Sequence, residues 1–236
     1  MTQALYGPDL AHVHDVAFGG WAREAAPFVL ARLREAGIEE GLVVDLGCGS
    51  GFWASQLLGE GYEVLGVDAS PAMLALARQR ALGASFRDGS LHDVELPPCA
   101  AITAIGECVN YEGPPSLELL FRRAYSALEP DGLLVLDAAA PGREPELHRH
   151  ARHEGEGWVM DVEVSEDGAG RTLTRRISLE RGGRGSETVH VLRLYESGEV
   201  IEWLEAAGFE ATCHPSYGAS RRLPGVHVYV AARRQR

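Results

Sequence analysis

The chain predicts an α/β fold, a doubly wound seven-stranded, mostly parallel sheet carrying an antiparallel β insertion. Short apolar strands alternate with helical periodicity from Leu42 to Asp137, the order that builds a parallel sheet through right-handed crossovers. The first strand ends in an acid and runs into glycines at alternate positions, Val43-Val44-Asp45-Leu46-Gly47-Cys48-Gly49-Ser50-Gly51. From Trp158 to Tyr195 the apolar period changes to two, the signature of a meander.

Residues 1–41 read as an N-terminal helical cap. Within it, Ala22 to Ala36 carries apolar positions at Val29, Leu30 and Leu33 and is stopped by Gly37, while Pro27 marks a helix start or a kink. The first two strands are Leu42–Leu46 and Glu63–Val67, joined by a helix over Phe52–Gly59. Ser70-Pro71 is a helix start, a side-chain cap followed by proline at the first helical position, and that helix runs to about Leu82. Ala84–Arg87 and Ala100–Ile105 are the third and fourth strands. Ser116–Leu128 is a helix with Leu117, Leu120, Phe121, Ala124, Tyr125 and Leu128 on one face. Pro130-Asp131-Gly132 is a turn into a fifth strand, Leu133–Asp137.

Beyond this core, 141–157 is linker-like, rich in charge, His, Gly and Pro. Three antiparallel strands follow. One places Trp158, Met160, Val162 and Val164 on a face, the next Leu173, Ile177 and Leu179, the last Val189 and Val191. A helix over Gly198–Ala207 and strands at Phe209–Cys213 and Val226–Val230 close the chain, as antiparallel end strands of the sheet. The whole of 1–236 reads as one domain: a cap over 1–41, a ligand-binding core over 42–140, the insertion over 158–195, and the C-terminal helix and end strands over 196–236.

Composition narrows the function. A net charge of -12 argues against a nucleic-acid partner. No apolar run approaches the roughly 20 residues of a membrane span, and Met1–Leu10 lacks the basic and apolar regions of a secretory signal. Cys48, Cys99, Cys108 and Cys213 have no metal-like spacing, so the expected setting is the reducing cytoplasm. His148, His150 and His153 are close in sequence but sit in a polar linker and read as solvated.

The motif after the first strand narrows it further. Glycines there expose bare N–H and C=O groups to a ligand, and Asp68, at the end of the second strand, is placed to accept hydrogen bonds from a ribose diol. The spacing is G-x-G-x-G, not the G-x-G-x-x-G of dinucleotide sites, whose helix N-terminus holds a pyrophosphate. Asp45 is a poor neighbour for a pyrophosphate and suits a ligand with a cationic end. Val43–Gly51 resembles motif I of the class I S-adenosylmethionine-dependent methyltransferases, and Asp68 resembles their ribose acid. The resemblance covers roughly Leu42–Asp137.

That resemblance implies S-adenosyl-L-methionine as cofactor and in-line methyl transfer from its sulfonium to a nucleophilic atom, with a small-molecule acceptor. It implies a cofactor site of Asp45, Gly47, Cys48, Gly49, Gly51, Asp68, Ala69 and Met73, with Gly89, Ser90 and Leu91 near the adenine and Gly106-Glu107 near the methionine ammonium. Ser90 stands where many members carry an acid, and Asp88 is the substitute. Glu107 and His14 are the candidate catalytic groups, His14 as a base. Tyr6, Phe18, Trp21, Asn110, Tyr111, His190, Arg193 and Tyr217 are candidates to line the acceptor pocket, with His12 and Tyr195 beside them, and Arg193 as a partner for a substrate carboxylate. The run Gly106-Glu107-Cys108-Val109-Asn110-Tyr111 lacks the Asn/Asp-Pro-Pro-aromatic mark of nucleobase methylation. Asp137-Ala138-Ala139-Ala140 lacks the clustered acids of a metal-dependent site, so no metal is expected. The basic insertion, with Arg171, Arg175, Arg176, Arg181 and Arg184, reads as edge protection or as a dock for an anionic or carrier-bound acceptor, and the insertion is equally a candidate for homodimer contacts. The rivals are a non-catalytic S-adenosylmethionine-binding or scaffold module on the same fold, and a nicotinamide oxidoreductase.

Overall fold

Val43, Val44 and Leu46 carry apolar side chains on both faces of the first strand and are all buried, as a central strand of a parallel sheet requires. The computed structural model describes residues 6–91, 93–111, 116–142, 150–218 and 225–234. Its elements are α1 (Pro8–Phe18), α2 (Gly20–Glu35), β1 (Leu42–Leu46), α3 (Phe52–Gly59), β2 (Glu63–Asp68), α4 (Pro71–Arg80), β3 (Ser85–Asp88), β4 (Cys99–Ala104), α5 (Ser116–Ala127), β5 (Leu128–Ala139), β6 (His150–Gly155), β7 (Trp158–Glu166), β8 (Thr172–Arg181), β9 (Arg184–Arg193), α6 (Ser197–Ala207), β10 (Glu210–His214) and β11 (Val226–Ala232). A 3₁₀ turn spans Cys108–Tyr111.

The main sheet has the order β10-β11-β5-β4-β1-β2-β3. Only β11 runs against its neighbours, pairing antiparallel with both β5 and β10. One core fills the face under α5 and α6, with Phe121, Leu117 and Leu204 against Leu46, Ile102 and Leu136. A second fills the face under α2 and α3, with Val29, Leu33, Trp53 and Leu57 against Val43 and Val135. Ser70 accepts from the Met73 amide at 3.2 Å and caps α4, and Pro71 follows it. No helix among the described residues is long and apolar enough to cross a membrane.

Four sequence expectations are corrected. Pro27 lies inside α2 and does not start it. Pro130-Asp131-Gly132 does not separate a helix from a strand but bulges within β5: Leu128 pairs with Cys99, and the next pair is Leu133 with Ala101. The bulge holds because β11 continues past it, with Asp131 N donating to Arg233 O at 2.8 Å and Arg233 N to Gly132 O at 2.9 Å. The insertion has four strands, β6-β7-β8-β9, because His150–Gly155, read as linker, pairs antiparallel with β7. Finally, Val189 and Val191 face outward, 42% and 52% exposed, whereas His190 and Leu192 are fully buried. Gly182 and Gly183 join β8 to β9 with φ of 57° and 76°, the left-handed pair that a two-residue hairpin favours.

Helix α1 is wedged between the second sheet and α4. Leu10 and Val13 pack with Trp158, Met160, Ile177 and Leu179 on the inner face of the second sheet, and Asp9 pairs with Arg181 at 2.6 Å. On its other side Asp15 pairs with Arg80 of α4 at 2.8 Å, and Arg80 also donates to the Ser50 carbonyl and covers the Phe52 ring.

Candidate active site

The strand order turns back between β1 and β4, so a crevice opens at their carboxyl ends. Asp45 sits there, 2% exposed. Its Oδ1 accepts from Thr103 Oγ1 at 2.9 Å, and Thr103 in turn accepts from Trp53 Nε1 at 3.0 Å. Its Oδ2 is buried with no partner among the described residues. Burial raises its pKa to about 7, against the pull of the Thr103 hydrogen bond and with a further push from the Asp68 charge. A buried carboxylate oxygen that lacks a donor is costly and fits a cationic group arriving in the crevice.

The glycines beyond Asp45 do different work. Gly49 has φ of 52°, and a side chain there would point into open space. Its N–H donates to Asp68 Oδ2 at 2.8 Å. At Gly47 a Cβ would lie 2.5 Å from Cys108 Cβ, so the turn is packed against the 3₁₀ segment. At Gly51, the αL cap of α3, a Cβ would lie 2.9 Å from Ala77 Cα in α4, so this glycine serves helix packing. Cys48 is buried, and its amide donates to Val67 O.

Asp68 Oδ1 accepts from Ser70 N at 2.8 Å. Burial raises the pKa of Asp68, and the two backbone donors, Ser70 and Gly49, oppose that. Ala69 beside it is exposed. Gly89 N donates to Asp68 O at 3.1 Å, which brings the β3 loop against the acid. Ser90 O accepts from Asp93 and Val94 N–H. Met73 is buried in α4, and Leu91 turns into the α5–α6 core.

Gly106 and Glu107 follow β4 with φ of 91° and 60°. Both amides donate to Asp137, Gly106 N to Oδ2 at 2.9 Å and Glu107 N to Oδ1 at 2.6 Å, and Tyr217 Oη donates to Oδ2 at 2.8 Å. Burial raises Asp137 to about 6 although these donors pull it down. The network explains how a non-glycine residue is held at positive φ, where strain is of order 1–3 kcal/mol. Trp21 closes this corner. Its ring meets Tyr217 edge-on at 5.7 Å, its Cδ1 stands 3.7 Å from where a Cβ on Gly106 would be, and its Nε1 is buried with no partner among the described residues.

Facing this rim, side chains from distant segments meet. Tyr6 Oη lies 3.1 Å from Tyr111 Oη, and Tyr111 Oη lies 3.1 Å from His190 Nδ1. The Tyr6 ring packs on His190 and edge-on against His14, and Phe18 lies between His14 and His153. Ser70 Oγ donates to Tyr6 O at 2.8 Å, fastening this cluster beside Asp68. Arg175 enters from β8 and pairs with Glu107 at 3.3 Å. Burial works against the Arg175 charge, but Glu107, Tyr111 and Tyr6 around it hold its pKa above the usual value. Burial, then the Arg175 charge, lower His14 to about 4, so this imidazole is neutral at physiological pH.

Three candidates are placed otherwise. The Asn110 amide is committed to backbone: Nδ2 donates to Ala139 O and Arg193 O, and Oδ1 accepts from Ala139 N. It braces the 3₁₀ turn to β5 and β9. Arg193 contributes its carbonyl to that brace, and Tyr195 is buried in the α5–α6 core. His150 pairs with Asp161 on the outer sheet, and His148 lies outside the described residues. Sequence reasoning missed Arg175 as an inward residue, although it is in phase with buried Leu173, Ile177 and Leu179. It also missed the anchors Thr103 and Asp137, for which a single sequence carries no signal beyond position in a strand, and it read Ser70 as the cap of α4 but not as the partner of Tyr6 O.

Comparison with known proteins agrees with this geometry. Residues 43–132 match the family described as Methyltransferase domain. The chain is 36% identical over 189 residues to trans-aconitate 2-methyltransferase of Variovorax paradoxus (strain S110), covering 73% of this chain and 70% of that protein. It is 24% identical over 244 residues to the dTDP-3-amino-3,6-dideoxy-alpha-D-glucopyranose N,N-dimethyltransferase of Streptomyces fradiae, covering 94% and 91%. Among solved structures, S-adenosylmethionine-bound CalS10, an amino pentose methyltransferase from Micromonospora echinaspora, is 25% identical with a TM-score of 0.74, covering 99% of this chain and 100% of that one. The chain belongs to the class I S-adenosylmethionine-dependent methyltransferases, and it uses S-adenosyl-L-methionine as its methyl donor.

Proposed function

We propose that the methyl group goes to a small molecule held between α1, the inner face of the second sheet and the carboxyl ends of β1, β4 and β5. The observation that carries this reading is the convergence of Tyr6, Tyr111, His190, Arg175 and Glu107 from four parts of the chain onto the rim beside Asp68. Relatives named for trans-aconitate and for a dTDP-amino sugar support a small acceptor. Bound S-adenosyl-L-methionine supplies an electrophilic methyl on a good leaving group. The protein's task is then to hold a nucleophile in line and to exclude water, worth about 7–11 kcal/mol in favourable cases.

In this reading Asp68 accepts from the ribose, Gly49 and Gly47 leave the crest bare, Gly89 and Ser90 border the adenine, and Asp45 and the Gly106–Glu107 corner face the methionine ammonium. Trp21 and Tyr217 support that corner, and Phe18, His14 and Tyr6 roof the acceptor. Four thiols outside any disulfide suit the reducing cytoplasm. Replacing Asp68 with Ala removes the ribose acceptor and frees the Gly49 and Ser70 amides. Calorimetry with S-adenosylhomocysteine should show affinity weakened by roughly 1–3 kcal/mol, and an unchanged constant would misplace the ribose. For transfer itself, purified protein with methyl-labelled cofactor and a pool of small amines, hydroxy compounds and carboxylates should label at least one pool member. Tight cofactor binding with no label in any of them would favour the scaffold reading.

A further inference from the structure

Tyr6, Tyr111 and His190 lie 105 and 79 residues apart in sequence, yet form an unbroken hydrogen-bonded line. Such a line has two polarities. If His190 Nδ1 is the acceptor, Tyr111 donates to it, Tyr6 donates to Tyr111, and the Tyr6 oxygen presents a lone pair at the free end. In the reverse polarity Nδ1–H donates, and Tyr6 presents a proton. Taking up one proton at the Tyr6 end and passing one across each link converts the first into the second and leaves His190 as imidazolium.

We infer that this line is a proton relay that relieves the acceptor's nucleophile of its proton during methyl transfer, with Tyr6 as the touching group and His190 as the terminal store. The inference rests on the methyl-transfer reading above. The nucleophile's X–H bond breaks as a new Tyr6 O–H bond forms. The original Tyr6 proton passes to the Tyr111 oxygen, and the Tyr111 proton passes to Nδ1 of His190, which ends as imidazolium. The nucleophile's electron pair forms the bond to the methyl carbon, and the pair of the broken carbon–sulfur bond stays on sulfur.

The surroundings fit this direction. His190 is fully buried, and the charged and titratable groups around it are Arg175, directly opposite in the β8–β9 register, Glu107 paired to Arg175, Tyr111 on the 3₁₀ turn, and Tyr6 with His14 on the N-terminal segment. Arg175 disfavours a second cation at His190. In the same event, however, one positive charge is lost at sulfur, so the site's total charge does not rise, and the Glu107 carboxylate offsets Arg175. Arg175 also lowers the cost of negative character on Tyr6 and Tyr111 as protons move. His14 meets the Tyr6 ring edge-on and is held neutral, so it roofs the line.

The relay selects a class of acceptor, a nucleophile that arrives with a proton, an amine or a hydroxyl. A carboxylate has none to give. The test uses the full chain with methyl-labelled cofactor, dTDP-3-amino-3,6-dideoxy-alpha-D-glucose as the amine probe and trans-aconitate as the carboxylate probe. Label is expected on the amine. Tyr111→Phe should lower kcat on it about 100-fold at neutral pH, with affinity for S-adenosylhomocysteine unchanged, and the loss should shrink as pH rises and the amine deprotonates in solution. His190→Asn can accept from Tyr111 but cannot store a proton, so it should be slow as well, whereas a structural role predicts rescue. Label on trans-aconitate alone, full activity of His190→Asn, or a pH-independent Tyr111→Phe loss would overturn the relay while leaving the methyltransferase intact. If neither probe is labelled, long-range proton–nitrogen correlation of the S-adenosylhomocysteine complex decides. Bare, accepting Nδ1 on His190 supports the relay, and a protonated, donating Nδ1 overturns it.

Discussion

Gly49→Val is expected to abolish detectable S-adenosylmethionine binding in a protein that still folds. Gly49 sits at φ of 52°, and among the described residues no atom beyond its chain neighbours lies within 4 Å of the position its Cβ would take. That open space is where the proposed function puts the methyl donor. A valine would project two methyl groups into it. Branching at Cβ also makes the left-handed backbone costly, by about 1–3 kcal/mol, and that strain would pull the 49 amide from Asp68 Oδ2. Together these should weaken affinity at least about 100-fold, or about 2.7 kcal/mol, with a smaller loss of global stability. Calorimetry with S-adenosylhomocysteine, read beside a thermal melt, separates the two effects. Binding at wild-type strength would remove the donor from this crest.

Asp137→Ala is expected to be the most destabilising single change at the site. It strips the acceptor from the Gly106 and Glu107 amides and from the Tyr217 hydroxyl at once. Buried donors left unmade cost roughly 1–3 kcal/mol each, and water entering the gap returns part of that, so about 4 kcal/mol of unfolding free energy should be lost in urea titration. Glu107 would no longer be held at φ of 60°. The wild-type carboxyl also has a pH signature. Its pKa is raised in the fold to about 6 from the ordinary 3.8, chiefly by burial. The folded state therefore binds this proton more tightly than the unfolded chain. Its contribution to stability is present at pH below 4 and is lost as pH rises toward 6. Asp137→Ala should flatten that part of the profile. An alanine variant as stable as the parent would show that the corner is held by something else.

The sequence made the core legible because local chemistry and global topology agree there. Ser70-Pro71 caps α4 as its residue types dictate, and the alternate glycines after Asp45 can stand only at a sharp strand-to-helix turn. The insertion was harder to read. His-Ala-Arg-His-Glu-Gly has no apolar alternation because β6 is an edge strand with little buried on either face, and its place is fixed by backbone pairing with β7. On β9 the valines drew the phase by type, but their neighbours His190 and Leu192 occupy the inner face. A polar site inside an antiparallel sheet inverts the rule that apolar residues mark the buried side, and Arg175 between Leu173 and Ile177 is hidden for the same reason. Within the cap only the helix over Ala22–Ala36 was read, and α1 before it was not; Gly19 parts the two, and Phe52 packs against it so closely that a Cβ there would overlap the ring.

The ion pair between Asp9 and Arg181 spans 172 positions of chain. Helix α1 is made well before Trp158, Met160, Ile177 and Leu179, against which it packs. Closing so long a loop is slow. The nascent helix must therefore wait with Leu10 and Val13 uncovered until the second sheet has been made.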